Sequence, residues 1–303
     1  MTQELKEQST TMTAARQTMA AWSKLLESRE EIPTIFKNHF NQAFGSGEPF
    51  PLVIWTPSLD RFPHRTTEKL ICDTSDALYI FEKNGNQIDA TVYLYRDISG
   101  SEVGNILLDS WLTIYGRTKQ GGTTASKIEF NTTSKRYFEL IIRKLRPAGE
   151  ANASQFVLQK DKFNALSTIN FKFMNYGRES LVAGETVIQF LLQSEIRQPI
   201  FTFFSKTFHK VLSPTHLTVL TDQELILIQE TGNGKDGRAG RYGGIWQYIP
   251  LRYIDLVSLS PVENDRLTFS IRCQPNRTIE KLFDISNLPM LQQFRDQLQA
   301  LLK

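Results

Sequence analysis

The residues of this sequence best suited to chemistry are the basic and aromatic side chains between Arg197 and His216. The segment reads RQPIFTFFSKTFHKVLSPTH and contains no acidic residue. Its positive charges suit an anionic ligand, and its rings suit an interface, because charge attracts a surface while rings insert into it. The alternative is an extra helix or strand that packs its phenylalanines between domains. The candidate ligand-binding residues are Arg197, Lys206, His209 and Lys210, and the candidate interface residues are Phe201, Phe203, Phe204 and Phe208.

A second basic segment spans residues 232–244 and adds Lys235, Arg238 and Arg241 to the ligand-binding candidates. Mobile basic loops can bind anionic lipid head groups, and the alternative is a solvated insertion. The same segment contains GNGKDG, which matches the dinucleotide-binding pattern G-x-G-x-x-G. That pattern requires a helix after the glycines, whereas here the chain continues as RAGRYGGIWQYIP. We therefore interpret it as a long hairpin loop.

Motifs for catalysis or metal binding are missing from the sequence. The four histidines show no metal-binding spacing, and neither a nucleophile elbow nor a phosphate-binding loop occurs. We predict no cofactor and no metal, and we keep an enzyme of unrecognised type as the third choice of function.

The composition is that of an ordinary globular protein. A length of 303 residues favours two domains, and a net charge of +3 is too small to indicate nucleic-acid binding. Two lone cysteines favour reduced thiols. No apolar run is long enough for a transmembrane helix, and the polar N-terminus lacks the pattern of a signal peptide. We expect a cytoplasmic protein, with peripheral membrane association as an option.

The sequence contains one unit of about a hundred residues twice. Leu70–Asn86, LICDTSDALYIFEKNGN, aligns without a gap with Leu217–Asn233, LTVLTDQELILIQETGN. Four further blocks align in the same order, with insertions only where loops belong. We therefore predict two homologous units.

Each unit is predicted to contain seven strands and a closing helix, and to be preceded by an amphipathic lead-in helix. Helical spacing predicts lead-in helices over 12–32, from Pro33 through Phe44, and over 161–176. Closing helices follow Asn131 and Ser286. The predicted strands are 50–56, 69–73, 77–83, 89–95, 98–107, 110–116 and 126–130 in the first unit, and 186–195, 217–221, 224–230, 245–250, 254–260, 266–273 and 278–283 in the second.

Seven short antiparallel strands followed by one amphipathic helix resemble the pleckstrin-homology-like superfold. The Gly-Glu pairs at 47–48 and 184–185 and the passage YIPLRYIDLVSLS are similar to bacterial PH-like and GRAM-like domains. The resemblance implies an α+β protein of two tandem units, each a seven-stranded antiparallel bent sheet or partly open barrel closed by a C-terminal helix. The implied organisation is N-terminal helices at 1–46, a first domain at 47–146, a linker and lead-in helix at 147–183, and a second domain at 184–303.

In this family, phosphoinositide-binding domains usually carry their basic residues between the first two strands, where Arg197–His216 lies. The first functional hypothesis is therefore a non-enzymatic adaptor that docks reversibly to anionic membrane lipid through residues 197–210 and 232–244. The second is a protein-interaction scaffold, with a protein partner or a second copy of the chain and no lipid binding. Nucleic acid is not an expected partner, and the sequence leaves the oligomeric state open.

Overall fold

Eleven strands of the described residues form one antiparallel sheet. The computed structural model describes residues 22–45, 49–58, 60–61, 64–146, 149, 152–204, 206–231, 243–262 and 265–302. In chain order the strands of this sheet are β1 (Lys24–Leu26), β2 (Leu52–Thr56), β5 (Lys69–Asp73), β6 (Ala77–Asn84), β7 (Gln87–Ile106), β8 (Asp109–Thr118), β9 (Thr123–Asn131), β10 (Val187–Gln193), β13 (His216–Thr221), β14 (Glu224–Glu230) and β15 (Gly243–Pro250). Their spatial order is β1-β2-β5-β6-β7-β15-β14-β13-β10, and β8 and β9 extend from β7.

The remaining described strands form three small sheets. Residues Asp60–Arg61 (β3) pair with His64–Arg65 (β4), and Ile196–Phe203 (β11) pairs with Lys206–Ser213 (β12). A third sheet contains β16 (Ile254–Val262), β17 (Arg266–Cys273) and β18 (Arg277–Asp284). The described helices are α1 (Thr34–Ala43), α2 (Lys135–Lys144), α3 (Ala153–Asp161), α4 (Phe171–Ser180) and α5 (Leu288–Leu301).

The long strand β7 joins the two halves of the chain. Its residues 87–94 pair with β6, and its residues 101–106 pair with β8 on one side and β15 on the other. Shifts of register against β8 between Tyr93 and Gly100 mark an irregular region between these parts. Gly104 provides room for the ring of Trp111, which would lie 2.0 Å from a Cβ at that position. The sequence predicted two strands here, and the structure contains one.

The predicted fold class is wrong. The main sheet continues across both halves through the pairing of β7 with β15, and the described strands contain no closed barrel. The molecule is therefore not two tandem PH-like units. Sequence periodicity identified most strands but carried no information about which strand would pair across the two halves. The largest hydrophobic cluster also contains residues from both halves, including Tyr93, Phe138, Phe173 and Ile226.

The two aligned blocks form similar hairpins, β5–β6 and β13–β14. In the first turn, Thr74 Oγ1 accepts a hydrogen bond from the Ala77 amide at 3.0 Å and donates to the Ala77 carbonyl at 2.8 Å. In the second, Thr221 Oγ1 makes the same two contacts with Glu224, at 3.0 and 3.1 Å. Helices α2 and α5 close the first and second halves, in the predicted places.

The lead-in helices are only partly as predicted. Helix α1 starts after Pro33 and buries Phe36 and Phe40, in agreement with the helix predicted from Pro33 through Phe44. The described part of the predicted helix 12–32 instead contains β1, because pairing with β2 overrides local helical spacing. The predicted helix 161–176 is also interrupted, because Asn170 starts α4 by accepting a hydrogen bond from the Phe173 amide at 3.2 Å.

Candidate functional site

The basic and aromatic segment forms a two-stranded ribbon, β11–β12, which we call the ribbon. Residues 197–201 and 207–210 are all exposed, so both faces of the ribbon meet solvent. The alternative in which its phenylalanines pack between domains is therefore wrong for Phe201, Phe204 and Phe208, which are 55%, 87% and 48% exposed. A two-stranded hairpin has little stability of its own, so the ribbon is suited to contact a further surface.

The apolar side chains of the ribbon concentrate toward its turn. The rings of Phe201 and Phe208 stack with their centroids 4.6 Å apart, and Ile200 beside them is 61% exposed. Phe204 lies at the turn with φ of 42°. A bulky residue in the left-handed region carries a backbone strain of about 1–3 kcal/mol, and such strain often marks a functional position.

The exposed cations of the ribbon lie farther from the turn than these rings, where Gln198 pairs with Lys210 and Arg197 with Val211. Arg197, His209 and Lys210 are exposed, and Arg197 Nε forms an ion pair with Glu195 Oε1. The backbones of Phe203 and Lys206 pair next to the turn, and only the backbones of these two residues are described. The other predicted ligand-binding residues, Lys235, Arg238 and Arg241, fall outside the described residues, so their part in ligand binding stays a prediction.

A cavity of about 530 Å³ lies between the two halves, and sequence reasoning missed it. Helix α2 forms one wall, β15 and β7 form a second, and the chain after α4 forms a third. Helix α3 forms a further wall with Phe156 and Lys160. Arg146, two residues beyond the end of α2, lines the cavity and connects it to a buried group of charges.

The buried charges are Arg146, Glu185 and Glu224, which we call the buried triad. Arg146 Nε donates to Glu224 Oε1 at 2.9 Å, and Arg146 Nη2 donates to Glu185 Oε2 at 3.3 Å. The side chains of all three are 4% exposed or less. The guanidinium also lies 3.9 Å from the ring centroid of Tyr248. The triad thereby joins the end of α2 to the second half of the chain.

Burial sets the protonation of the buried triad. Burial and the neighbouring Glu224 carboxylate raise the pKa of Glu185 to about 9. Burial favours the neutral form of Arg146, but Glu224, Tyr248 and Glu185 more than offset it and raise the pKa of the guanidinium. Around neutral pH the triad therefore holds one cation, one carboxylate and one protonated carboxyl, with no net charge.

A second acid–cation contact lies beside the first hairpin. Lys144 Nζ donates to Asp73 Oδ2 at 2.8 Å and to the Thr74 carbonyl at 3.1 Å. The Tyr95 hydroxyl donates to Asp73 Oδ1 at 2.6 Å, and burial together with this carboxylate raises the pKa of Tyr95. Asp73 and Lys144 line a second cavity of about 650 Å³, next to Phe44.

The described residues do not combine into a recognisable catalytic site. Cys72 and Cys273 are free and buried, and burial raises the pKa of both thiols, which suppresses the reactive thiolate. No group of three or more potential metal ligands occurs among the described residues. The features that remain among the described residues are the ribbon and the two cavities, which are suited to binding.

The sequence contains only weak signals of the buried triad beside the cavity. Glu185 belongs to the Gly-Glu pair that we read as the start of a domain, and Glu224 closes the Thr-Asp-Gln-Glu turn. A charged residue at the start of a hydrophobic strand is a signal of a buried ion pair, but it does not identify the partner.

The chain matches no known family model and no curated protein sequence. Neither comparison identifies a PH-like domain protein. Within the part of the chain that the structure describes, every helix is too short or too polar to cross a membrane.

Proposed function

We propose that the chain is a non-enzymatic docking protein that binds reversibly to an anionic lipid surface through the ribbon. The observation that carries the proposal is the exposed aromatic turn region, Phe201, Phe204 and Phe208, on a ribbon that contains no acidic residue. Aromatic side chains insert at the level of the head groups, while neighbouring cations attract anionic lipid.

The charges of the ribbon set the expected strength of docking. Each Lys or Arg near an anionic membrane surface contributes about 1 kcal/mol. Arg197 already pairs with Glu195, so its contribution is reduced. Lys210 makes no ion pair within the described residues, so its contribution should be the larger one.

A lipid surface accounts for the arrangement better than a protein partner does. A protein would cover one face of a ribbon with shaped pockets, whereas both faces of β11–β12 are exposed over residues 197–201 and 207–210. A bilayer interface surrounds an inserted hairpin on all sides, and it offers an apolar layer next to an anionic one. Those two layers correspond to the rings near the turn and the cations farther from it.

The test is flotation of the full-length protein with phosphatidylcholine vesicles, with and without phosphatidylserine. We expect binding to the serine-containing vesicles only, and release by high salt, because salt screens exposed charges. Lys210→Gln should weaken binding roughly fivefold, which corresponds to about 1 kcal/mol. Lys119→Gln removes an exposed lysine elsewhere and should leave binding unchanged.

The aromatic contribution has its own variants. The double variant Phe201→Ser and Phe204→Ser should abolish flotation, whereas Phe171→Ser, at a 64% exposed position on α4, is the matched control. Flotation that survives the double variant, or that is equal on neutral vesicles, contradicts the proposal. Self-association or capture of a protein that depends on the same phenylalanines, without vesicle binding, would favour the scaffold instead.

A further inference from the structure

We propose that the cavity between the two halves binds a small amphipathic anion, with an apolar or aromatic body and one carboxylate, sulfate or phosphate group. The proposal is independent of the ribbon, which lies outside the residues that line this cavity. Its support comes from the shape of the cavity, the chemistry of its walls and the placement of its charges.

The cavity suits the apolar part of such a molecule. Its volume of about 530 Å³ lies within the range of roughly 300–1,000 Å³ that is usual for small-molecule sites. Three aromatic side chains, Phe156, Trp246 and Tyr248, contribute to its walls. Trp246 and Phe156 are only partly buried, so a ligand body can cover apolar surface that now meets solvent.

The half-buried charges of the cavity are lysines. Lys135 and Lys160 are partly buried, and neither makes an ion pair with a carboxylate within the described residues. The acids of the lining, Glu139 and Glu179, occupy exposed positions, as does Arg143. Water and salt screen exposed charges more strongly than half-buried ones, so the interior of the cavity favours an anion.

Arg146 is not the partner of this anion. Its guanidinium is already bound by Glu224 and Glu185, and these contacts leave the buried triad electrically neutral. Arg146 therefore shapes the cavity floor, and the head group of the ligand is assigned to Lys135 and Lys160.

Helix α3 supplies a second reason to expect a ligand. None of its residues is buried, although its Phe156 and Lys160 face the cavity. Its attachment to the second half includes a hydrogen bond of 2.9 Å from the Val187 amide to Gln159 Oε1. Phe156 packs against the main hydrophobic cluster but is only partly buried, so a ligand in the cavity would add apolar contacts to this helix.

The test compares two dyes with similar ring systems, anilinonaphthalene sulfonate, which is an anion, and phenylnaphthylamine, which is neutral. The full-length protein should carry Phe201→Ser and Phe204→Ser, so that neither dye binds the ribbon. We expect the anionic dye to bind with the higher affinity, as measured by fluorescence titration. Lys135→Gln with Lys160→Gln should lower that affinity about tenfold, since hydrogen bonds to charged groups are strong, and should leave the neutral dye unaffected.

Two further variants complete the test. Lys37→Gln with Lys119→Gln removes two lysines outside the cavity and should change neither titration. Ala183→Trp places a large ring at an exposed position of the lining and should abolish binding of both dyes. Equal affinities for the two dyes would overturn the preference for an anion, and binding that Ala183→Trp leaves intact would overturn the site itself. The lysine variants decide the question if Ala183→Trp does not fold.

Discussion

The turns of the two aligned hairpins have the same hydrogen bonds but carry their acids on opposite sides. Thr74 and Thr221 bond alike to the residue three positions later. In the first hairpin the acid is Asp73, just before the turn, and in the second it is Glu224, just after it. The two turns therefore share a backbone geometry, but that geometry does not determine on which side of the turn the acidic residue lies.

The two acids also differ in how deeply their cation is buried. Both cations come from one end of α2, yet the side chain of Lys144 is 42% exposed and that of Arg146 is 4% exposed. Asp73 itself is buried, but its pairing with the half-exposed Lys144 is screened by water, whereas removal of Arg146 leaves a fully buried group without its cation. The same helix end should therefore hold the first hairpin weakly and the second strongly.

The largest effect should come from Arg146→Met. It leaves Glu185 and Glu224 buried without their cation, which should lower the free energy of unfolding by about 3–5 kcal/mol. Denaturant unfolding monitored by circular dichroism measures the change. Arg143→Met, at an exposed position on the same helix, is the control and should change stability little. A loss of stability smaller than that caused by Lys144→Met would show that the Arg146 contact is not the stronger of the two.

Asp73→Asn should have the next largest effect. The amide keeps the shape of the side chain but loses its charge, and it weakens the bonds from Lys144 and from the Tyr95 hydroxyl. We expect a loss of about 1–3 kcal/mol, the usual range for hydrogen bonds to charged groups. Thermal unfolding compared with Asp76→Asn, at an exposed acid in the same turn, measures it.

Lys144→Met should cost about 1 kcal/mol, because the ammonium is 42% exposed and water screens its pairing, while the buried Asp73 keeps its hydrogen bond from the Tyr95 hydroxyl. High salt should reduce even this difference. Unfolding in low and high salt measures both effects. If the loss equals that of Arg146→Met, exposure does not determine the strength of these contacts.

Glu185→Gln should have its smallest effect at about pH 4, where the carboxyl is largely protonated in both the folded and the unfolded chain. Near neutral pH it should raise stability, because the amide resembles the protonated carboxyl but takes up no proton on folding. In the wild type, the pKa of Glu185 is about 9 in the folded chain and about 4.3 in the unfolded chain. Between these pH values the folded chain therefore holds one more proton than the unfolded chain. Wild-type stability should therefore fall as pH rises through this window, relative to Glu185→Gln. Unfolding at about pH 6 and about pH 9 checks this. If the stability of the wild type and of Glu185→Gln changes equally with pH, the proton is not on Glu185. If Glu224→Gln removes the pH dependence instead, the proton is on Glu224.

Local features of the sequence predicted more of the fold than of the candidate cavity. Hairpin β13–β14 and helix α5 follow from alternation and from apolar spacing, which are properties of neighbouring residues. The union of strands 89–95 and 98–107 into β7 was missed because it depends on β15, more than a hundred residues away. The predicted helix 161–176 failed because the capping side chain of Asn170 outweighed a continuous apolar stripe.

The two candidate sites show the same difference between features set by neighbouring residues and features set by distant ones. The ribbon was located from the sequence because its cations and rings are contiguous, although its extended form and the exposure of Phe204 were not foreseen. The buried triad was missed because Arg146, Glu185 and Glu224 come from separate parts of the chain. Isolated charged residues give no pattern until the fold brings them together.

The pairing of β7 with β15 has a consequence for synthesis on the ribosome. Residues 101–106 emerge well over a hundred residues before their partners at 243–248, so one edge of β7 stays unpaired while the second half is made. An open strand edge is a template for association with other chains. Glu102 and Gly104 lie within that edge, and a charge and a poor strand former both discourage such association. We expect the nascent first half to depend on these two residues, or on a chaperone, until β15 arrives.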